Sequence, residues 1–161
     1  FMHYLQVVGT FLRKLDASKR LLAAPYGTNQ INPNDHFIKQ LETLDIDFIA
    51  YQDEVGVQKT AVEDTKGIFE GLAKAHEKAG RAKLWADIEL FEFADEVYKS
   101  PLLPAPFERI EQQIENVAPY VEEILCYQVF GLMNAPNSPV FCGHPDSEKL
   151  YLEYKNSFLT L

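Results

Sequence analysis

Four short apolar runs, near residues 20–26, 46–52, 83–90 and 123–130, are each followed by a stretch with helical spacing. Repeated strand–helix alternation constrains a fold more than any other pattern, because parallel strands need crossover connections and helices covering the sheet. The chain opens with one further helix, over residues 1–18, in which Leu5, Val8, Leu12 and Leu15 recur at helical spacing. Arg13, Lys14, Lys19 and Arg20 load its C-terminal end, where cations complement the helix dipole.

The connecting segments carry recognisable punctuation. Gly27-Thr28-Asn29 ends the first run, and Asn32-Pro33 predicts a helix start with Phe37, Ile38, Leu41 and Leu44 facing inward. Thr60 and Glu63 have capping-box spacing ahead of a long helix with Ile68, Leu72, Ala75 and Ala79 on its buried stripe, and Gly80 closes it. A proline-rich loop through Pro101, Pro104 and Pro106 leads into a helix of Phe107, Ile110, Ile114 and Val117, with Pro119 at its stop. After the fourth run comes a loop with Gly131, Asn134, Pro136 and Pro139. Asp146 can then cap a last helix carrying Leu150, Tyr154 and Phe158.

Two architectures accommodate this order, a doubly wound open sheet and part of a (β/α)8 barrel. Neither GxGxxG nor GxxxxGK[ST] follows any strand, so the phosphate-binding signatures of nucleotide folds are absent. Acids, amides and aromatics sit instead at the ends of all four strands, and a barrel builds its site from several strand ends in this way. A full barrel needs at least roughly 200 residues and eight units; the 161 residues here supply four. The expectation is a single α/β domain over residues 1–161, four βα units forming the C-terminal half of a TIM-type barrel.

Within this frame, Lys83-Leu84-Trp85-Ala86-Asp87-Ile88-Glu89-Leu90 is the stretch where chemistry concentrates. Ala86, Ile88 and Leu90 fall on one face, and Trp85, Asp87 and Glu89 on the other. Two carboxylates in a core strand are costly unless paired or hydrogen-bonded. They stand near the strand's C-terminal end, the edge at which α/β proteins bind ligands. Asp53 and Glu54 follow the second strand at the same edge.

Composition removes several function classes. A net charge of −9 with a pI near 4.9 argues against nucleic acid as partner, since phosphate contacts need clustered Lys and Arg. No apolar run approaches the roughly 20 residues that span a bilayer. No secretion signal opens the chain, although Phe1-Met2-His3-Tyr4 resembles the start of a fragment, which leaves a secreted or periplasmic location open. Cys126, placed in a core strand, and Cys142, in a loop, have no CxxC spacing and support neither a disulfide framework nor a zinc site. His3, His36, His76 and His144 are scattered over helices and loops. Neither a metal, nor any other cofactor, nor a histidine-based triad is therefore expected.

Tyr51-Gln52-Asp53-Glu54-Val55-Gly56, Trp85-Ala86-Asp87-Ile88-Glu89-Leu90-Phe91-Glu92 and Cys126-Tyr127-Gln128 with Gly131-Leu132-Met133-Asn134 together resemble a bacterial family, domain of unknown function 4434. Ala24-Pro25-Tyr26-Gly27-Thr28 is similar to the family's preceding strand end, and the resemblance covers about residues 20–158. The family is described as glycosyl-hydrolase-like TIM barrels. The resemblance implies that these segments are strands five to eight, and that a half with a strand-four glutamate lies elsewhere. Retaining barrel glycosidases carry the acid/base on strand four and the nucleophile on strand seven. Glu89 then falls near the nucleophile position, as nucleophile or stabilising carboxylate, with Asp87 one step deeper.

The resemblance thus implies a carbohydrate hydrolase built around Glu89, Asp87, Asp53 and Glu54. Each acid also has a structural reading: Asp87 as a hydrogen-bonded core acid, Glu89 as a solvated loop residue, Asp53 or Glu54 as a cap for the turn at Gly56. Gln52 and Gln128 occupy matching strand-end positions, suited either to sugar hydroxyls or to bridging neighbouring strands. Tyr26, Trp85 and Tyr127 are the aromatics nearest the expected mouth, available for stacking on sugar rings or for ordinary core packing. The alternatives to a hydrolase are a barrel that binds carbohydrate without cleaving it, and an inactive half-barrel. Open edges on a four-stranded sheet invite a second copy of this chain or the other half of the barrel as partner.

Overall fold

In the computed structural model, described for residues 2–139 and 143–159, four parallel strands form one sheet and a separate pair forms an antiparallel hairpin. The sheet strands are β1 (Leu22–Ala23), β2 (Phe48–Gln52), β3 (Lys83–Glu89) and β6 (Ile124–Tyr127), in that spatial order. Between them run helices α2 (Asp35–Glu42), α3 (Val62–Ala79) and α4 (Phe107–Val117); α1 (Met2–Leu15) precedes the sheet and α5 (Ser147–Phe158) follows it. Strand order in space follows order in the chain with no reversal. A doubly wound sheet reverses at a switch point, whereas sequential parallel order is how a barrel wall grows. Cys142 lies outside the described residues.

The alternation read from the third strand sets the two faces of the sheet. Ile49, Tyr51, Leu84, Ala86 and Ile88 face the helices and join Phe69, Leu72, Ile110, Val117 and Leu150 in one core. Gln52, Asp87 and Glu89 lie on the opposite face in matching register, Gln52 beside Asp87 and Glu89 beside Tyr127. Burying Tyr51 on the helix side requires a partner for its hydroxyl, which His76 of α3 supplies at 3.1 Å. His76 in turn uses Nδ1 against the Ala82 carbonyl at 2.8 Å, so this histidine is a core residue.

Several local expectations are corrected. Asn34, not Asn32, caps α2: its side chain accepts from the Phe37 amide at 3.1 Å, while Asn32 and Pro33 form the turn before it. Thr60 and Glu63 do not form a capping box. Ala61 stands at the cap of α3 without a side-chain bond, and the Thr60 hydroxyl instead accepts from Asn29 Nδ2 at 3.1 Å. Asp146 occupies the cap position of α5 but makes no capping hydrogen bond. In α1, Leu12 and Leu15 are exposed. Gly9 brings α1 against the Asp45 backbone, and Arg13 locks that orientation by reaching Asp45 at 3.2 Å and Asp47 at 2.5 Å, so the terminal leucines turn outward.

The largest correction concerns the expected proline-rich loop. Phe91–Phe93 (β4) pairs antiparallel with Leu102–Pro104 (β5), forming a hairpin that rises from the end of β3. This also shortens the fourth sheet strand, expected to reach Phe130. The last bond to β6 runs from the Leu90 amide to the Tyr127 carbonyl at 2.7 Å; from Phe91 on the chain pairs with β5 instead, and Val129 and Phe130 are exposed.

Candidate active site

The C-terminal ends of β1, β2, β3 and β6 and the β4–β5 hairpin enclose a cavity of about 310 Å³. Tyr26, Gln52, Glu89, Tyr127 and Gln128 line it, together with Phe91, Phe93 and Tyr98. Five residues singled out in the sequence thus meet at one place. Their convergence follows from the parallel register, which puts equivalent strand ends side by side.

Glu89 is the acid of this cavity. Its Oε2 accepts the backbone amides of Gly56 at 2.6 Å and Val57 at 2.8 Å, and Oε1 receives no hydrogen bond among the described residues. One oxygen is fixed by the loop after β2, and the other is left for the cavity. Burial pushes the Glu89 carboxyl up to about 7; the Val57 and Gly56 amides oppose the shift, while Asp53 and Glu54 add to it. Carboxyls perturbed in this way gather at functional sites as well as in buried structural networks.

Asp53 is committed to structure. Its Oδ1 accepts the amides of Glu89 at 3.2 Å and Val55 at 3.3 Å, and its Oδ2 accepts from Gln113 Nε2 of α4. Burial raises its carboxyl to about 6 despite those three bonds and the nearby Arg109. Glu54 is fully buried with φ of 62°, and its Oε1 accepts the Gly27 amide. It ties the loop after β1 to the loop after β2. Asp87 receives a long 3.5 Å hydrogen bond from Gln52 Nε2 on the inner face, one residue pair below Glu89, and burial raises its carboxyl as well.

Trp85 does not reach the mouth. It pairs with Ala50 and stacks on Phe48 at 4.4 Å, four residues before Glu89, or about 13 Å down the strand. Gln128 and Tyr127 sit at the rim, Tyr127 being 40% exposed, and Gln128 Nε2 donates to the Phe130 carbonyl at 3.3 Å.

Four further contributors are not singled out by the sequence. The amides of Gly56 and Val57 act through the backbone, which residue types do not reveal. Arg109 and Gln113 come from α4: the Arg109 guanidinium donates to the carbonyls of Glu89 at 2.7 Å and Phe91 at 2.8 Å, and to Gln113 Oε1 at 3.0 Å. Their spacing of four residues puts them on one helical face, which was the available clue. Among the described residues, no group of three or more His, Cys, Asp or Glu side chains is arranged to hold a metal ion.

A parallel α/β sheet with a carboxyl, amides and tyrosines gathered at its C-terminal edge places polar groups where α/β proteins bind ligands. The chain belongs to the family described as Domain of unknown function (DUF4434), whose model matches residues 1–140. Its structure is similar to the crystal structure of a protein from Bacteroides thetaiotaomicron VPI-5482 described as a putative alpha-L-fucosidase, with a TM-score of 0.74 and 16% sequence identity. The match covers 96% of this chain and 50% of that one, so the chain spans half the length of the solved structure it resembles. At that identity the likeness is one of fold. No curated protein sequence matches the chain.

Proposed function

We propose that this chain is the C-terminal half of a (β/α)8 barrel with a carbohydrate site, and that Glu89 serves there as the nucleophile or stabilising carboxylate of a glycoside hydrolase. The observation that carries this reading is Glu89 itself, an acid with one oxygen held by two amides and the other left to a cavity ringed by tyrosines and amides. Sequential parallel strand order, two unpaired sheet edges and a match to half of a longer chain support the half-barrel. Gln52 and Gln128 would address sugar hydroxyls, and Tyr26 and Tyr127 would stack on ring faces. Asp53, Glu54 and Asp87 would hold the loops and strand ends in place.

Glycoside hydrolysis takes two carboxyl groups, standing about 5–5.5 Å apart in retaining enzymes. Glu89 is the only acid among the described residues lining the cavity, so the partner acid would come from the other half of the barrel. The test is Glu89→Gln in a protein carrying both halves, assayed on a panel of oligosaccharides and aryl glycosides that the wild type cleaves. Loss of turnover with retained binding supports the assignment, and unchanged turnover removes Glu89 from the mechanism.

The single cavity acid also favours a second reading, a barrel that binds carbohydrate without cleaving it. It is distinguished by calorimetric binding of saccharides that the protein with both halves leaves intact. The open edges further lead us to expect that the isolated chain self-associates or pairs with its other half; a monomer by light scattering at micromolar concentration counts against this.

A further inference from the structure

The β4–β5 hairpin carries rings that the role of Glu89 leaves unused. Tyr127, paired in register with Glu89, meets the Phe91 ring edge-on at 6.2 Å. Phe93 meets Phe91 at 5.9 Å, and Tyr98 meets Phe93 at 5.5 Å. The rings therefore run outward from the strand end beside Glu89 to the far end of the hairpin. Tyr98 is 78% exposed there and lines the same cavity.

Its backbone is unusual for so bulky a residue. Tyr98 has φ of 64°, a left-handed conformation that glycine or asparagine adopts far more easily. The turn needs no tyrosine, since the amides of Lys99 and Ser100 both donate to the Glu96 carbonyl at 3.0 Å. Nor is the strain offset by burial. Strain held at a cavity rim by a ring that stays largely exposed points to function.

We propose that Tyr98 is the stacking platform for a second sugar ring, next to one held against Glu89 and Tyr127, so that the site selects disaccharide units or longer over free monosaccharides. This rests on the carbohydrate reading above. A cavity of about 310 Å³ is at the low end of the roughly 300–1,000 Å³ of small-molecule sites, and the exposed Tyr98 lines its outer end. A second ring lies over the open rim, where the exposed phenol offers an apolar face and a polar edge.

The experiment is isothermal titration of the protein carrying both halves with a panel of monosaccharides and the disaccharides built from them. Tyr98→Asn removes the ring and suits the backbone; Tyr98→Phe keeps the ring. Tyr98→Asn is expected to weaken disaccharide binding about tenfold while monosaccharide affinity stays within about twofold, and Tyr98→Phe to restore most of the loss. Equal disaccharide affinity in wild type and Tyr98→Asn overturns the platform while leaving the carbohydrate site standing, and so does an equal loss for both sugar classes. A wild type that binds no member of the panel overturns both.

Discussion

The Gly56 amide donates a 2.6 Å hydrogen bond to Oε2 of Glu89, a side chain 33 positions further along the chain. This bond joins the loop after β2 to the end of β3 and fixes which oxygen of Glu89 is free. A Cβ at position 56 would run into the Phe91 carbonyl oxygen and stand 2.9 Å from Glu89 Oε2. Gly56→Ala must therefore move backbone. We expect it to lower stability by about 1–3 kcal/mol, measured by urea denaturation, and to weaken saccharide binding in the same protein.

Glu89 also gives stability a definite pH dependence. Its folded carboxyl titrates at about 7 and its reference value is 4.5, so between those values the folded state binds more protons than the unfolded one. The contribution of Glu89 is thus most favourable below pH 4.5, falls as pH rises through about 7, and is level above it. The difference amounts to roughly 3 kcal/mol on this shift. Glu89→Gln keeps an acceptor for the Gly56 and Val57 amides and removes the titration. Denaturation at pH 5 and pH 8 should show the variant gaining on the wild type at the higher pH; parallel curves would contradict the assignment.

Gln113 is fully buried and its Nε2 bonds Asp53 Oδ2. Gln113→Leu removes that donor and leaves a buried carboxylate oxygen unpartnered. The expected cost is about 1–3 kcal/mol by denaturation. The Asp53 carboxyl should also titrate above its value of about 6, read by NMR.

Arg109 uses a single nitrogen to hold the carbonyls of Glu89 and Phe91, at 2.7 and 2.8 Å, while its Nε reaches Gln113. A lysine cannot reproduce that planar fork. Arg109→Lys should destabilise the chain by about 1–3 kcal/mol in denaturant and loosen the β3–β4 junction, seen as faster amide exchange in Phe91–Phe93.

Trp85, the one tryptophan, stacks on Phe48 away from the cavity. Its emission should change strongly on unfolding and by little on saccharide binding. Trp85→Phe should leave saccharide affinity within about twofold, because stacking energy is lost only where a ring touches the ligand.

Much of the fold was legible because strand and helix periodicities differ and each run kept its own. The faces of β3 followed from alternation alone: Ile88 went to the helices and Glu89 to the opposite side. Register then followed from burying one face of each strand. The hairpin was not legible. Leu102, Leu103 and Pro104 are too few to carry a period, and their pairing with Phe91–Phe93 depends on a turn whose positive φ falls on Tyr98, a residue type that gives no turn signal.

By itself the sequence determined the order of elements, the apolar faces and the strand ends at which polar residues gather, since these depend on local spacing and on keeping apolar surface from water. Only the tertiary structure decided which of those polar residues face open space. Asp53, Glu54 and Glu89 are all acids at the same edge, equivalent in type. Gln113 and the Glu89 amide claim Asp53, and the Gly27 amide binds Glu54. Glu89 keeps one oxygen for the cavity because its other is held by amides brought from 32 and 33 residues away. Such pairings cross long loops and form through backbone groups common to every residue, so no pattern of side chains announces them.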